Sequence, residues 1–285
     1  MIVIMKKFIA AFDGLNFCES TMEYAIELAK QSKAHLVGIF LDDFMRRSYT
    51  IAELSHYGGA DLDRYMGSMD EKDKEIRAES VEVFEKACQG EGLNYSIHRD
   101  KNVAIQELLH ESIYADLLII KGSETIKKTE EDAPSRFVRE LLNDVQCPVL
   151  VVPPKYNSID KIIILYDGEP SSVHAARTFS YLFDVLKPVE TQVVTVKTSD
   201  QSLHVPDNHL VKEFIKRHYP NAEYLVLKGL PEDEIYRFLK REKGHPVVIL
   251  GAYQRGKLSR LFRPSMADYL LSHSKIPYFI AHNKA

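Results

Sequence analysis

Residues 161–168 read KIIILYDG, and residues 6–14 read KKFIAAFDG. Each is an apolar run led by lysine and ended by Asp-Gly, at Asp13-Gly14 and at Asp167-Gly168. A continuous apolar run bounded by a turn signal predicts a strand buried on both faces. A helical pattern follows each one. Met22, Ala25, Ile26 and Ala29 fall at i, i+3, i+4 and i+7, and Ala175, Phe179, Leu182 and Phe183 fall at i, i+4, i+7 and i+8. Each helix therefore carries one apolar stripe.

The repeat extends outward from these two stretches. Second strands are expected at HLVGIFL (35–41) and TQVVTV (191–196), and later ones at DLLII (116–120) and PVVIL (246–250). Pro134-Ser135 and Pro264-Ser265 then open helical stretches, and each half closes on a proline-led strand, VLVV (149–152) after Pro148 and YFIA (278–281) after Pro277. Strand and helix alternate throughout, which gives a parallel sheet with right-handed crossovers and helices on both faces. Ligands in such sheets sit beyond the carboxyl ends of the strands, where Asp13, Asp167 and Gly251 fall. Asp13 to Pro134 is 121 positions and Asp167 to Pro264 is 97, so the first half is longer by 24. The extra length is placed at about 42–70. PPKYNS (153–158) marks the boundary, giving domains at 1–154 and 158–285.

Composition bounds the function. The chain has 285 residues, 45% hydrophobic and 27% charged, which suits two soluble domains. A net charge of −4 argues against broad nucleic-acid binding. No apolar run approaches the roughly 20 residues of a membrane helix, and MIVIMKKFIAAFDG reads as a strand rather than a signal peptide. Cys18, Cys88 and Cys147 are far apart and form no CxxC, which fits a reducing cytoplasm. The 11 histidines, His204 and His209 among them, show no metal-ligand spacing.

Two copies of strand–Asp, amphipathic helix, strand, helix, strand–loop–helix and final strand resemble the universal stress protein family in its tandem form. The turn Gly229, Pro231, Glu234, Ile235 fits the same pattern. The resemblance implies an α/β fold of two Rossmann-like (HUP-type) domains, each a five-stranded mostly parallel sheet flanked by helices. It also implies that the two final strands pair as an intrachain pseudo-dimer. Nucleotide-binding members carry G-x2-G-x9-G-[S/T]. Counted from Gly251, this chain keeps the loop length and Ser265 but has Gln254 and Pro264 at the other two glycine positions, with Gly256 as a further glycine nearby. By resemblance, Asp167 faces adenine or ribose, the backbone of Val196 lines the adenine pocket, and Gly251, Ser265 and Met266 meet phosphates. The implied ligand is ATP, ADP or AMP, with Mg. In the first half the matching position is Lys121, and Glu130, Glu131 and Asp132 bring negative charge where phosphates would lie. Only Asp13 fits there, so that half is expected to hold no nucleotide.

Plainer readings stand beside these. Ser265, with Asp268 three residues on, suits a helix cap, as does Ser135. Ser20, Ser171 and Ser172 are also expected to cap helices. Asp13 and Asp167 suit Asx turns. Arg255, Lys257, Arg260 and Arg263 suit a solvated face. No nucleophile, base and orienter set is present, so the chain reads as a binding module and not an enzyme, with slow ATP hydrolysis a third reading. A stress-response protein binding adenine nucleotide and an interaction protein acting through protein partners both remain open, as does homodimerisation.

Overall fold

The structure is a computed structural model, and it describes residues 6–41, 49, 54–100, 103–125, 131–198, 204–251 and 266–281. These hold ten strands and eight helices. In the first half, β1 (Lys7–Asp13), α1 (Glu19–Ser32), β2 (His35–Leu41), α2 (Ala60–Gly90), β3 (Tyr95–Asp100), α3 (Ala104–Ser112), β4 (Leu117–Lys121), α4 (Arg136–Asp144) and β5 (Val149–Val152) follow in turn. The second half repeats the order with β6 (Lys161–Leu165), α5 (Pro170–Leu182), β7 (Glu190–Lys197), α6 (Asn208–His218), β8 (Ala222–Lys228), α7 (Pro231–Arg241), β9 (Pro246–Gly251), α8 (Met266–His273) and β10 (Tyr278–Ala281).

One ten-stranded sheet runs through the molecule in the order β3-β2-β1-β4-β5-β10-β9-β6-β7-β8. Every pairing is parallel except β5 with β10, which is antiparallel, with Tyr278 opposite Val151 and Ile280 opposite Val149. This is the expected α/β fold of two five-stranded halves joined by their final strands. The junction closes what would otherwise be two open sheet edges.

The strands are apolar on both sides because both sides are covered. Phe8, Ala10 and Phe12 of β1 face a core built with α1, α2, α5 and α6, whereas Ile9 and Ala11 face one built with α3, α4, α7 and α8. The same alternation carries across the junction, where Leu150 and Phe279 lie on the first side and Val149 and Ile280 on the second.

The extra length of the first half lies between β2 and β3. Leu41 to Tyr95 spans 54 positions, against 25 from Lys197 to Ala222. Much of it is helix: α2 has 31 residues and its counterpart α6 has 11. Residues 42–48 and 50–53 of the expected insertion lie outside the described residues.

Three serines depart from expectation. The residue before α1 is Cys18 and the residue before α5 is Glu169, and neither side chain caps its helix. Ser20, Ser171 and Ser172 sit inside the first turn, where a hydroxyl has better partners than its own N–H groups. Ser20 donates to the Pro153 carbonyl at 2.7 Å, and Ser172 donates to the Glu169 carbonyl at 2.8 Å. Pro170 already occupies the position where a missing N–H costs nothing. Ser135 does cap α4, accepting from the Val138 N–H at 3.1 Å.

Candidate functional site

In the second half β6 is the central strand, with β7 and β9 on either side of it. Chain direction across the sheet reverses here, since β6 crosses outward to β7 while β9 returns on the other flank. A cavity of about 340 Å³ opens at the carboxyl ends of these three strands, at the place such sheets use for ligands. Asp167 and Tyr166 come from the end of β6, Val194 to Lys197 from β7, Leu250 and Gly251 from β9, and Met266 from the start of α8. Pro231, Glu232 and Ile235 close one side from α7, and Pro206 another. The walls are largely apolar and the mouth carries Asp167, Lys197 and Glu232, the balance expected of a site that buries a ring system and orients it by a few polar groups.

Four sequence-derived site residues, Asp167, Val196, Gly251 and Met266, thus meet in one cavity. Gly256 and Ser265 lie outside the described residues, as do Gln254, Pro264 and the four bases of that loop.

The local geometry sharpens what each can do. Asp167 is exposed. Its Oδ1 accepts the Glu169 N–H at 2.9 Å, an Asx turn, and a carboxylate has further acceptor capacity beyond that one bond. Thr195 is buried and donates to the Tyr166 carbonyl at 2.7 Å, which ties β7 to the end of β6 beneath the mouth. Burial, with the carboxylates of Asp207 and Asp167 nearby, pushes the Tyr166 phenol above its usual pKa. Gly251 has a reason to be glycine that involves no ligand. A Cβ there would come within 2.3 Å of the Ser171 carbonyl carbon and 2.6 Å of the Ser172 nitrogen, so α5 packs directly on the strand end.

Lys197, Glu232 and Pro206 were not legible as site residues, because no local pattern marks them. Pro231 and Ile235 were visible in the turn after β8 without showing where it leads. Gly229 holds φ +142 there and donates its N–H to the Lys197 carbonyl at 3.0 Å. That bond brings the start of α7 over the end of β7.

The first half is built differently at the same place. Phe8 lies opposite Leu117 as Ile162 lies opposite Val247, so Lys121 corresponds to Gly251. By the same register Leu41 corresponds to Val196. Toward α2, Gly14, Phe40, Leu41, Arg77 and Arg99 border a cavity of about 30 Å³. Phe12, Phe17 and Phe40 stack on the α1 and α2 side of the sheet, with Phe12 and Phe17 centroids 4.9 Å apart. Asp13 is buried and accepts the Leu15 N–H at 3.0 Å, again an Asx turn. The N-terminus of α4, which could hold an anion, is met instead by the chain's own carboxylate: Glu131 accepts the Arg136 N–H at 2.7 Å.

Among the described residues no group of three or more His, Cys, Asp or Glu is placed to hold a metal ion, and no helix is long and apolar enough to cross a membrane.

With this geometry in hand, the chain can be set beside known proteins. It is similar to a universal stress protein of Synechocystis sp., 20% identical over 292 residues that cover 96% of this chain and 98% of the relative. Its fold matches the crystal structure of a universal stress protein from Archaeoglobus fulgidus with a TM-score of 0.66, at 15% identity, over 98% of this chain and 99% of that one. A protein of unknown function from Pseudomonas aeruginosa PAO1 matches with a TM-score of 0.59, at 13% identity, over 98% of this chain and 93% of that one. No family model matches the chain. The likeness to tandem universal stress proteins therefore runs along the whole chain.

Proposed function

Starting from a chain built as two universal-stress-type domains, we propose that it is a stress-response binding module that takes ATP, ADP or AMP in its second domain. The domains are set at 1–154 and 158–285. The observation that carries the reading is the 340 Å³ cavity at the carboxyl ends of β6, β7 and β9, where Asp167, Val196, Gly251 and Met266 converge. Its apolar walls suit a purine, and Asp167 at the mouth suits a ribose hydroxyl. The phosphates would extend toward the loop that follows Gly251. Val196 and the side chains of Ile235 and Met266 would exclude water from the base.

In the first domain the helix N-terminus that would meet a phosphate is satisfied by Glu131. Nucleotide would therefore bind once per chain. Calorimetric titration of the full chain with ATP and Mg is expected to give heat at a stoichiometry of one, with a matching thermal shift. Asp167→Asn keeps the Asx turn, since Asn makes the same turn, and should weaken binding without lowering stability. Neither heat nor thermal shift at millimolar ATP, ADP or AMP would overturn the nucleotide reading. The chain would then act through protein partners.

A further inference from the structure

The run Pro231-Glu232-Asp233-Glu234 puts three acids in the first turn of α7, and the structure gives each a different setting. Glu234 is taken up by the turn itself. A Cβ on Gly229 would meet its Cγ at 2.7 Å, and its Oε1 accepts from Arg237 at 2.8 Å. Asp233 is exposed. Glu232 alone of the three borders the 340 Å³ cavity of the second domain. It is half-buried, and among the described residues its side chain takes part in no hydrogen bond or ion pair. A carboxylate only accepts, so the group that would complete this position is a donor.

The sheet fixes where along the cavity Glu232 stands. Strands β9, β6, β7 and β8 are neighbours in that order, each about 4.8 Å from the next. Gly251 ends β9, Asp167 follows β6, Val196 and Lys197 end β7, and the turn at Gly229 follows β8. These groups form a row with Gly251 at one end. The Gly229 N–H is bonded to the Lys197 carbonyl at 3.0 Å and α7 starts two residues later, so Glu232 belongs to the end of the row away from Gly251. Ile235, three residues on along the same helix face, is buried and borders the cavity too. One face of α7 thus supplies an apolar wall and an acceptor beside it. Lys197 does not neutralise that acceptor. Side chains alternate along a strand, and Val196 packs into the core that α7 joins, so Lys197 is directed to the other side of the sheet. The two make no ion pair.

A nucleotide lying along this row has its phosphates at the Gly251 end, its ribose by Asp167 and the outer edge of its base toward α7. On adenine the group standing out from that edge is the exocyclic amine, a donor. We propose that Glu232 is the base-reading residue of this site: its carboxylate accepts a hydrogen bond from the exocyclic amine of adenine. This rests on the nucleotide reading of the cavity and adds to it the residue that selects the base. A base without the amine leaves a half-buried carboxylate facing a C–H group, and an acceptor left unpaired in this way is what makes a site reject the analogue.

Calorimetric titration of the full chain with ATP and with purine riboside 5′-triphosphate, which differs only in lacking the amine, tests this. The wild type is expected to bind ATP more tightly by about tenfold to a hundredfold, the range of a hydrogen bond to a charged group. Glu232→Ala should lower ATP affinity by that factor and leave the amine-free analogue within about twofold, so that the ratio falls to about one. Glu232→Gln, whose amide carbonyl still accepts, should keep part of the preference. Asp233→Ala removes an acid from the same turn but not from the cavity, and should leave the ratio unchanged. A mere change of charge at the helix N-terminus would move Glu232→Ala and Asp233→Ala alike. Equal binding of the two nucleotides by the wild type, or an unchanged ratio in Glu232→Ala, overturns the assignment of Glu232 while the nucleotide site stands. Binding of neither overturns the nucleotide reading and the role of Glu232 with it.

Discussion

Gly251 shows how one residue can fit two explanations that make different demands. As the first glycine of a phosphate loop it would be needed for ligand approach; in the fold it is needed because the backbone of Ser171 and Ser172 lies where its Cβ would be. The second demand is present whether or not anything binds. Gly251→Ala is therefore expected to destabilise the chain by about 1–3 kcal/mol, the usual cost of overpacking, since the colliding atoms are backbone and cannot swing aside. Urea unfolding measures this directly, and an unchanged midpoint would mean that α5 can shift off β9. A loss of nucleotide affinity in this variant would say little about phosphate contact. Asp167→Asn is the cleaner probe of the site because it preserves the local turn.

Elements are decided by how local signals meet their neighbours. The cap of α4 was readable from Pro134-Ser135, and its loss should follow the ordinary rule. Ser135→Ala removes the bond from Val138 and the one to the Glu124 carbonyl, and should lower stability by about 0.5–2 kcal/mol. A midpoint shift in urea below that range would show that another group takes over the first turn. Strands and amphipathic helices were legible for a similar reason: apolar runs such as DLLII and PVVIL leave few alternatives when both faces of a sheet are covered. Ser20, Ser171 and Ser172 were misread as caps because a hydroxyl at the start of a helix has two uses, and only tertiary contacts such as Pro153 select one. The helical length of α2 was likewise hidden, because a long polar stretch between two strands does not say how much of it is helix. Within the sites, Asp167 and Val196 were placed by the family resemblance, whereas Lys197 and Glu232 reach the cavity only through the turn at Gly229. Glu124 looks like any surface acid in sequence, yet it is 1% exposed.

At the scale of the whole molecule, the two domains are joined by more than a strand pair. The core on one side of the sheet is continuous across the junction. Phe8 of the first domain meets Phe183 of the second at 5.9 Å between ring centroids, and Phe183 and Phe179 both meet Phe279 of β10, at 6.3 and 5.1 Å. The Lys6 ammonium and the Ser32 hydroxyl donate to one carbonyl, that of Leu182, at 2.6 and 3.2 Å. The connecting segment is strapped to α1, with Tyr156 and Ser158 bonded to the Glu27 carboxylate and the Asn157 N–H to the Tyr24 hydroxyl. Separating the domains would expose buried aromatic rings and the edges of β5 and β10 together, so neither domain can open without a large loss of apolar burial. The chain is therefore expected to unfold in one transition, with calorimetric and van't Hoff enthalpies in agreement. Phe279→Ala supplies the sharper test because its ring belongs to the second domain but packs at the shared core. Truncation of a buried phenylalanine costs about 3–5 kcal/mol. If the two domains form one cooperative unit, global hydrogen-exchange protection in β2 and in β7 should fall by the same factor. If only β7 loses protection, the domains unfold separately and the junction is a docking of two independent parts.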